Sequence, residues 1–163
     1  MSHNSFDTDL STERVDVRGP RFAAWITTGV LVVVLVAAAF STPLAAVLIA
    51  LQAVVFALGA LHGPRRSPYG RIYTALVAPR NGPPPETEPV PPLRFAQLVG
   101  GVFAVLGFVG FVAGSTVAGA IFAGFALFAA LLNAAFGVCL GCLLYPFAQR
   151  LLPRSAASTH SPT

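Results

Sequence analysis

Apolar residues in this chain come in long unbroken runs, and the polar ones are gathered between them. Phe22–Phe40 is a nineteen-residue apolar stretch. At about 1.5 Å per helical residue it just crosses a hydrocarbon core of roughly 30 Å. It also exceeds the apolar region of a signal peptide, which is about 7–15 residues. Ser41-Thr42-Pro43 makes a very short turn, with a hydroxyl to cap the next helix and a proline suited to its first turn. A second span follows at Pro43–Leu61. Between Arg94 and Arg150 lie 55 positions without a charge, enough for two spans of about 20 residues each. Gly114-Ser115 is the natural turn between them. The third span is expected at Arg94–Ala113. The fourth starts near Thr116 and runs past Cys142, with Pro146 bending or ending it. The pattern predicts an all-α membrane protein with four transmembrane helices.

The polar stretches differ from one another. Residues 1–21, with four acids and three arginines, read as a disordered tail, and residues 151–163 as a second tail. Between the hairpins at 22–61 and 94–150 lies a proline-rich loop, residues 62–93, with nine prolines and four arginines. Inside it Ser67-Pro68 marks a helix start. Tyr69, Ile72, Tyr73, Leu76 and Val77 then recur at helical spacing. A short interfacial amphipathic helix is expected over 68–78, with its aromatic face in lipid and its arginines on phosphates. Asn81–Pro92 reads as extended and stiff.

Composition agrees with membrane insertion. Hydrophobic residues make up 55% and charged residues 10% of the chain, against about 25% charged in soluble domains. The net charge of +4 comes from arginines at the ends of apolar runs, a pattern that suits lipid headgroups rather than nucleic acid. With four spans, Arg14, Arg18, Arg21, the five arginines from Arg65 to Arg94, Arg150 and Arg154 all fall on one side. The two opposite turns carry no charge. The positive-inside rule then makes this a multi-pass protein of the cell (plasma) membrane with both termini and the long loop cytoplasmic.

Small residues mark where helices approach in lipid. Gly100, Ala104, Gly107, Gly110 and Gly114 share one face of the third span. Ala126, Ala130, Asn133, Gly137 and Gly141 share one face of the fourth. These stripes face each other or the other helices, and offer a route to a homo-oligomer. Gln52 and Asn133 are expected to form interhelical hydrogen bonds. On a straight helix Cys139 and Cys142 lie nearly opposite the fourth stripe.

Those two cysteines are the only ones in the chain. Their i, i+3 spacing puts both sulfurs on one helical face and suits a redox pair, so Cys139 and Cys142 are the candidate catalytic residues. Deep in a straight helix, low dielectric and the helix C-terminal half both oppose a thiolate. Gly137, Gly141 and Pro146 permit a break that would present Cys139 at a new helix start. Otherwise the two cysteines are small buried residues of a membrane helix. A reducing cytoplasmic location favours free thiols. With His62 they supply three metal ligands at most, where a structural zinc site needs four, so no metal and no cofactor is expected. No acid lies inside a span, which disfavours ion-coupled transport.

The segments Gly19-Pro-Arg-Phe-Ala-Ala, Ser67-Pro-Tyr-Gly-Arg-Ile-Tyr, Ala78-Pro-Arg-Asn-Gly-Pro-Pro, Arg94-Phe-Ala-Gln and Asn133-Ala-Ala-Phe-Gly-Val-Cys-Leu-Gly-Cys resemble the bacterial domain-of-unknown-function family numbered 4395, over about residues 14–150. The resemblance implies a small multispan membrane protein with a Cys-x-x-Cys near its last span, associated with thioredoxin-like or sulfurtransferase partners. It implies no catalytic residues. Two functions follow as expectations. One is a thiol-redox or sulfur-handling accessory using Cys139 and Cys142. The other is a non-enzymatic membrane scaffold for cytoplasmic partners.

Overall fold

The computed structural model describes residues 13–151. Strand β1 is Arg14–Asp16 and helix α1 is Arg18–Phe40. Helix α2 is Thr42–His62, α3 is Pro68–Ile72 and strand β2 is Thr87–Pro89. Helices α4 (Val90–Val112), α5 (Thr116–Phe136) and α6 (Leu140–Leu151) complete the chain. Four of them, α1, α2, α4 and α5, are long and apolar enough to cross a membrane. They form a closed bundle in which α1 packs on α2 and α5, and α4 packs on the same two.

Both tight turns lie at one end, where the Thr42 and Thr116 hydroxyls share a 3.0 Å hydrogen bond. Ser41 and Ser115 cap α2 and α5 by accepting from the N–H groups of Leu44 and Ala118. At the other end β1 pairs antiparallel with β2, Val15 opposite Glu88. This ribbon ties the N-terminal segment to the long loop. The described part of the expected tail is therefore ordered structure: residues 14–16 are a strand, and α1 begins at Arg18 rather than Phe22. Pro20 does not prevent this, since first-turn N–H groups have no intrahelical acceptor. The same reason lets α4 start at Val90, with Pro91 and Pro92 in its first turn, four residues before the expected Arg94. Tail positions 1–12 and 152–163 lie outside the described residues.

The small-residue face of α4 is used inside the chain. Gly107 sits against Ile49 of α2 and Gly110 against the Gly119 backbone of α5. Ile49, Ala104 and Ala123 are fully buried between these helices. Outward positions such as Val33, Val54, Val109 and Ile121 are apolar and exposed, the inverse of a water-soluble bundle. Arg94 reaches across to the end of α2, where its guanidinium donates to the carbonyls of Ala60 and Leu61 at 2.7 and 2.6 Å. These carbonyls have no partner within their own helix, and a cation there also complements the helix dipole.

The loop helix differs from expectation. After Ile72 the chain widens into a π turn, Tyr73–Val77, and closes in a 3₁₀ turn, Ala78–Arg80. Pro79 has no N–H with which to continue an α-helix. Its tyrosines are turned to protein rather than to lipid. Tyr73 is buried, stacks near Phe22 with ring centroids 5.7 Å apart, and donates to Asp16 Oδ2 at 2.9 Å. Tyr69 donates to Gln52 Oε1 at 2.7 Å, so Gln52 bonds to the loop helix rather than to another span. Polar tips on tyrosines favour this inward placement wherever an acceptor is waiting. Ile72 and Leu76 remain exposed.

Candidate functional site

The fourth span does not continue past Phe136. Gly137 adopts φ +69°, a left-handed conformation that side chains with a Cβ resist. Its N–H donates to the Asn133 carbonyl at 3.0 Å, and the Val138 N–H reaches back to Leu132 at 3.2 Å. This pair of bonds satisfies the last carbonyls of α5 and stops it. Cys139 then opens α6: its carbonyl accepts the Leu143 N–H at 3.1 Å. Its sulfur accepts the Cys142 N–H at 3.3 Å. Cys139 therefore holds the N-cap position of a twelve-residue helix, where free N–H groups and the helix dipole favour negative charge.

Pro146 neither ends nor precedes the helix. It lies within α6, which runs on to Leu151, and leaves the Cys142 carbonyl without an i+4 donor. Gly141 is likewise no break. It is the point at which α6 touches α4: a Cβ there would overlap Ala96. The Phe95 and Tyr145 rings, 5.8 Å apart, extend the contact.

Cys139 and Cys142 are joined as a disulfide, with Cα atoms 5.2 Å apart, inside the usual range of 4.4–6.8 Å. Free thiols were the expectation for a reducing compartment. One turn at a helix start instead places the sulfurs within bonding reach. The two differ in surroundings. Cys142 packs against a buried cluster of Val15, Val90 and Leu93. Cys139 lines a cavity that also takes in Asn133, Ala126 and Ala130. Cys139 therefore does not sit opposite the small-residue stripe of α5, because the chain is re-aimed at Gly137. Asn133 faces this same cavity, and among the described residues its side chain makes no interhelical hydrogen bond.

Two charged groups at this end of the bundle escape sequence reasoning. The Arg21 guanidinium lies beside Gly137, its Cζ 3.7 Å from where a Cβ would stand. Glu88, across the ribbon from Val15, is half-buried. Burial first, and then the neighbouring Glu86, push its carboxyl above the ordinary value, while Arg21 pulls it back. No spacing in the sequence links residue 21 to 88 or to 137; the fold brings Arg21 beside Gly137 and within electrostatic reach of Glu88.

The sign of the Glu88 effect is fixed. An acid with a raised folded-state pKa contributes stability below its ordinary value of 4.5, and that stability is lost as pH rises through the raised value. Glu88→Gln is therefore expected to raise the thermal midpoint at neutral pH and to leave it unchanged below pH 4.5. Melting followed by circular dichroism in detergent at both pH values checks this.

Four helices long and apolar enough to cross a membrane, with a disulfide-bonded cysteine pair at the start of a further helix, define the class: a small multi-pass membrane protein. Residues 15–150 match the family model described as Domain of unknown function (DUF4395), and the chain belongs to that family. Neither the curated proteins nor the solved structures contain a match to it.

Proposed function

We propose that this protein is a thiol–disulfide exchanger of the bacterial inner membrane, with Cys139 and Cys142 as its redox pair and both termini cytoplasmic. The observation that carries the reading is the helix break at Gly137, which puts Cys139 at the N-terminus of α6 with the Cys142 N–H on its sulfur. Reactive cysteines in disulfide chemistry occupy such positions because the helix start stabilises the thiolate. The arginines at the ribbon end support the cytoplasmic orientation. Arg21 adds a cation beside the break.

The partner is a cytoplasmic dithiol protein of thioredoxin-like or sulfurtransferase type. Its thiolate attacks the Cys139 sulfur, the bond to Cys142 breaks, and Cys142 leaves as the thiolate. The partner's second thiolate then attacks its own sulfur in the mixed disulfide and releases the Cys139 thiolate. Two electrons pass from the partner dithiol to the pair, and the partner leaves oxidised. Cys139 is the attacked sulfur because it caps α6; both cysteines are half-buried, and Cys142 lies inside the helix against Val15, Val90 and Leu93.

Single-cysteine variants test the assignment. Cys142→Ser, activated with a small aromatic disulfide and incubated with a reduced thioredoxin-like protein, is expected to accumulate a mixed disulfide through Cys139. Cys139→Ser is expected to accumulate at least about tenfold less, since Cys142 lies within the helix rather than at its start, where a thiolate is favoured. Equal trapping by the two variants, or none by either, would contradict the reading.

A further inference from the structure

The cavity at Cys139 lies within the bundle and has a volume of about 280 Å³, lined by α1, α4, α5 and α6 with Phe56 of α2. That is near the lower end of small-molecule sites, about 300–1,000 Å³, and fits a ring with a short substituent rather than a whole lipid. No acid, base or histidine lines it among the described residues. Its walls are aliphatic and aromatic, with Phe56, Phe103 and Phe128 among them. The polar residues among the lining are Thr27, Gln97 and Asn133, together with Cys139.

The approach to it is apolar. Phe125, Phe128 and Leu144 line the cavity and are each more than half exposed on the outer face of the bundle, at 54%, 58% and 51%. In a membrane that face meets lipid, so a molecule entering here arrives from the bilayer. Charged or strongly hydrated ligands are excluded by the same walls. What fits is a neutral, planar, lipid-soluble ring. Its faces meet phenylalanine rings, and its carbonyl oxygens accept from amide N–H groups.

Resting on the thiol-exchange reading above, we infer that this cavity binds a lipid-soluble quinone that accepts the electrons of the Cys139–Cys142 dithiol. The dithiol gives up two electrons and two protons and closes to the disulfide. The quinone takes both electrons and both protons at its two carbonyl oxygens and leaves as the quinol. Asn133 and Gln97 are positioning residues that hold the carbonyls. Electrons then run from a cytoplasmic dithiol through the pair into the membrane pool.

The test uses the full-length protein in detergent, reduced and freed of reductant under anaerobic conditions. The probe is a fully substituted benzoquinone with a short alkyl tail, which has no free ring position for thiol addition. Bleaching of one quinone per cysteine pair is expected. In Asn133→Leu, which removes a donor, and in Ala130→Leu, which fills the cavity, bleaching is expected to slow about tenfold, the worth of one such bond. Exchange with a soluble disulfide is expected to stay at the wild-type rate in both variants. Wild-type bleaching in both variants overturns the inference. Normal exchange with the soluble disulfide and no bleaching overturns it too, and leaves the thiol-exchange reading standing. Failure with both reagents overturns that reading and this inference together.

Discussion

Gly141→Val is expected to abolish thiol exchange while leaving the four long helices intact. A Cβ at position 141 would overlap the Cα and Cβ of Ala96, so relief requires a backbone to move, not a side chain to swing. Overpacking of side chains alone costs about 1–3 kcal/mol, and here α6 must lift from α4. The helix carries Cys142 in its first turn and Cys139 at its cap, so both sulfurs move with it. Cys142 loses its seat against Val15, Val90 and Leu93, and the pair is no longer held in one geometry. Exchange with a soluble disulfide is expected to fall by more than about tenfold, since 1.4 kcal/mol is already a factor of ten. Helical content is expected to stay near wild type, because α6 contributes only 12 residues. A wild-type exchange rate would show that α6 packing does not position the pair.

Gly110→Leu is expected to have the largest effect on stability. The added Cβ would stand 2.6 Å from the Gly119 nitrogen and 3.0 Å from its Cα, where α4 and α5 come together through two glycines. In lipid such close approach, rather than hydrophobic exclusion, holds helices together. Separating the pair also disturbs Ala104 and Ala123, which are fully buried nearby. A loss of more than about 3 kcal/mol corresponds to a fall in thermal midpoint of roughly 10 °C for a chain of this size. Gly124→Leu is the control: nothing lies within 4 Å of a Cβ there, and its melting is expected to match wild type. Melting in detergent, read by size-exclusion homogeneity after heating, compares the two.

The four spans were legible because each is a long run without charge, and that demand of the bilayer overrides finer propensities. Their turns were legible too, through Ser41, Pro43 and Gly114-Ser115. Helix starts were displaced by up to four residues, since Pro20, Pro91 and Pro92 look like breakers but occupy first turns. The β1–β2 ribbon was invisible. Two three-residue strands some 70 positions apart have no local signature, and their pairing depends on where α1 and α4 begin. The loop helix was placed at Ser67-Pro68 as expected, but periodicity does not say which side of a helix meets protein. Asp16 and Gln52 decide that by accepting from Tyr73 and Tyr69.

The site was half legible. Cys139 and Cys142 stand out as the only cysteines, and Gly137 was one of three residues that permitted a break. Which of Gly137, Gly141 and Pro146 would break the helix did not follow from residue type. Gly137 takes the left-handed conformation, Gly141 is spent on contact with Ala96, and Pro146 is accommodated inside α6. The role of Gly141 is set by α4, which lies against α6 and is distant in sequence.

Labelling in native membranes tests the redox site most directly. Inverted vesicles, which expose the cytoplasmic face, are treated with a membrane-impermeant maleimide before and after a soluble dithiol reductant. The expected result is no labelling of the disulfide, labelling of Cys139 after reduction, and loss of that labelling when an oxidant is added back. Failure to label either cysteine after reduction, in vesicles of either orientation, would contradict a thiol-exchange site at Cys139 and Cys142.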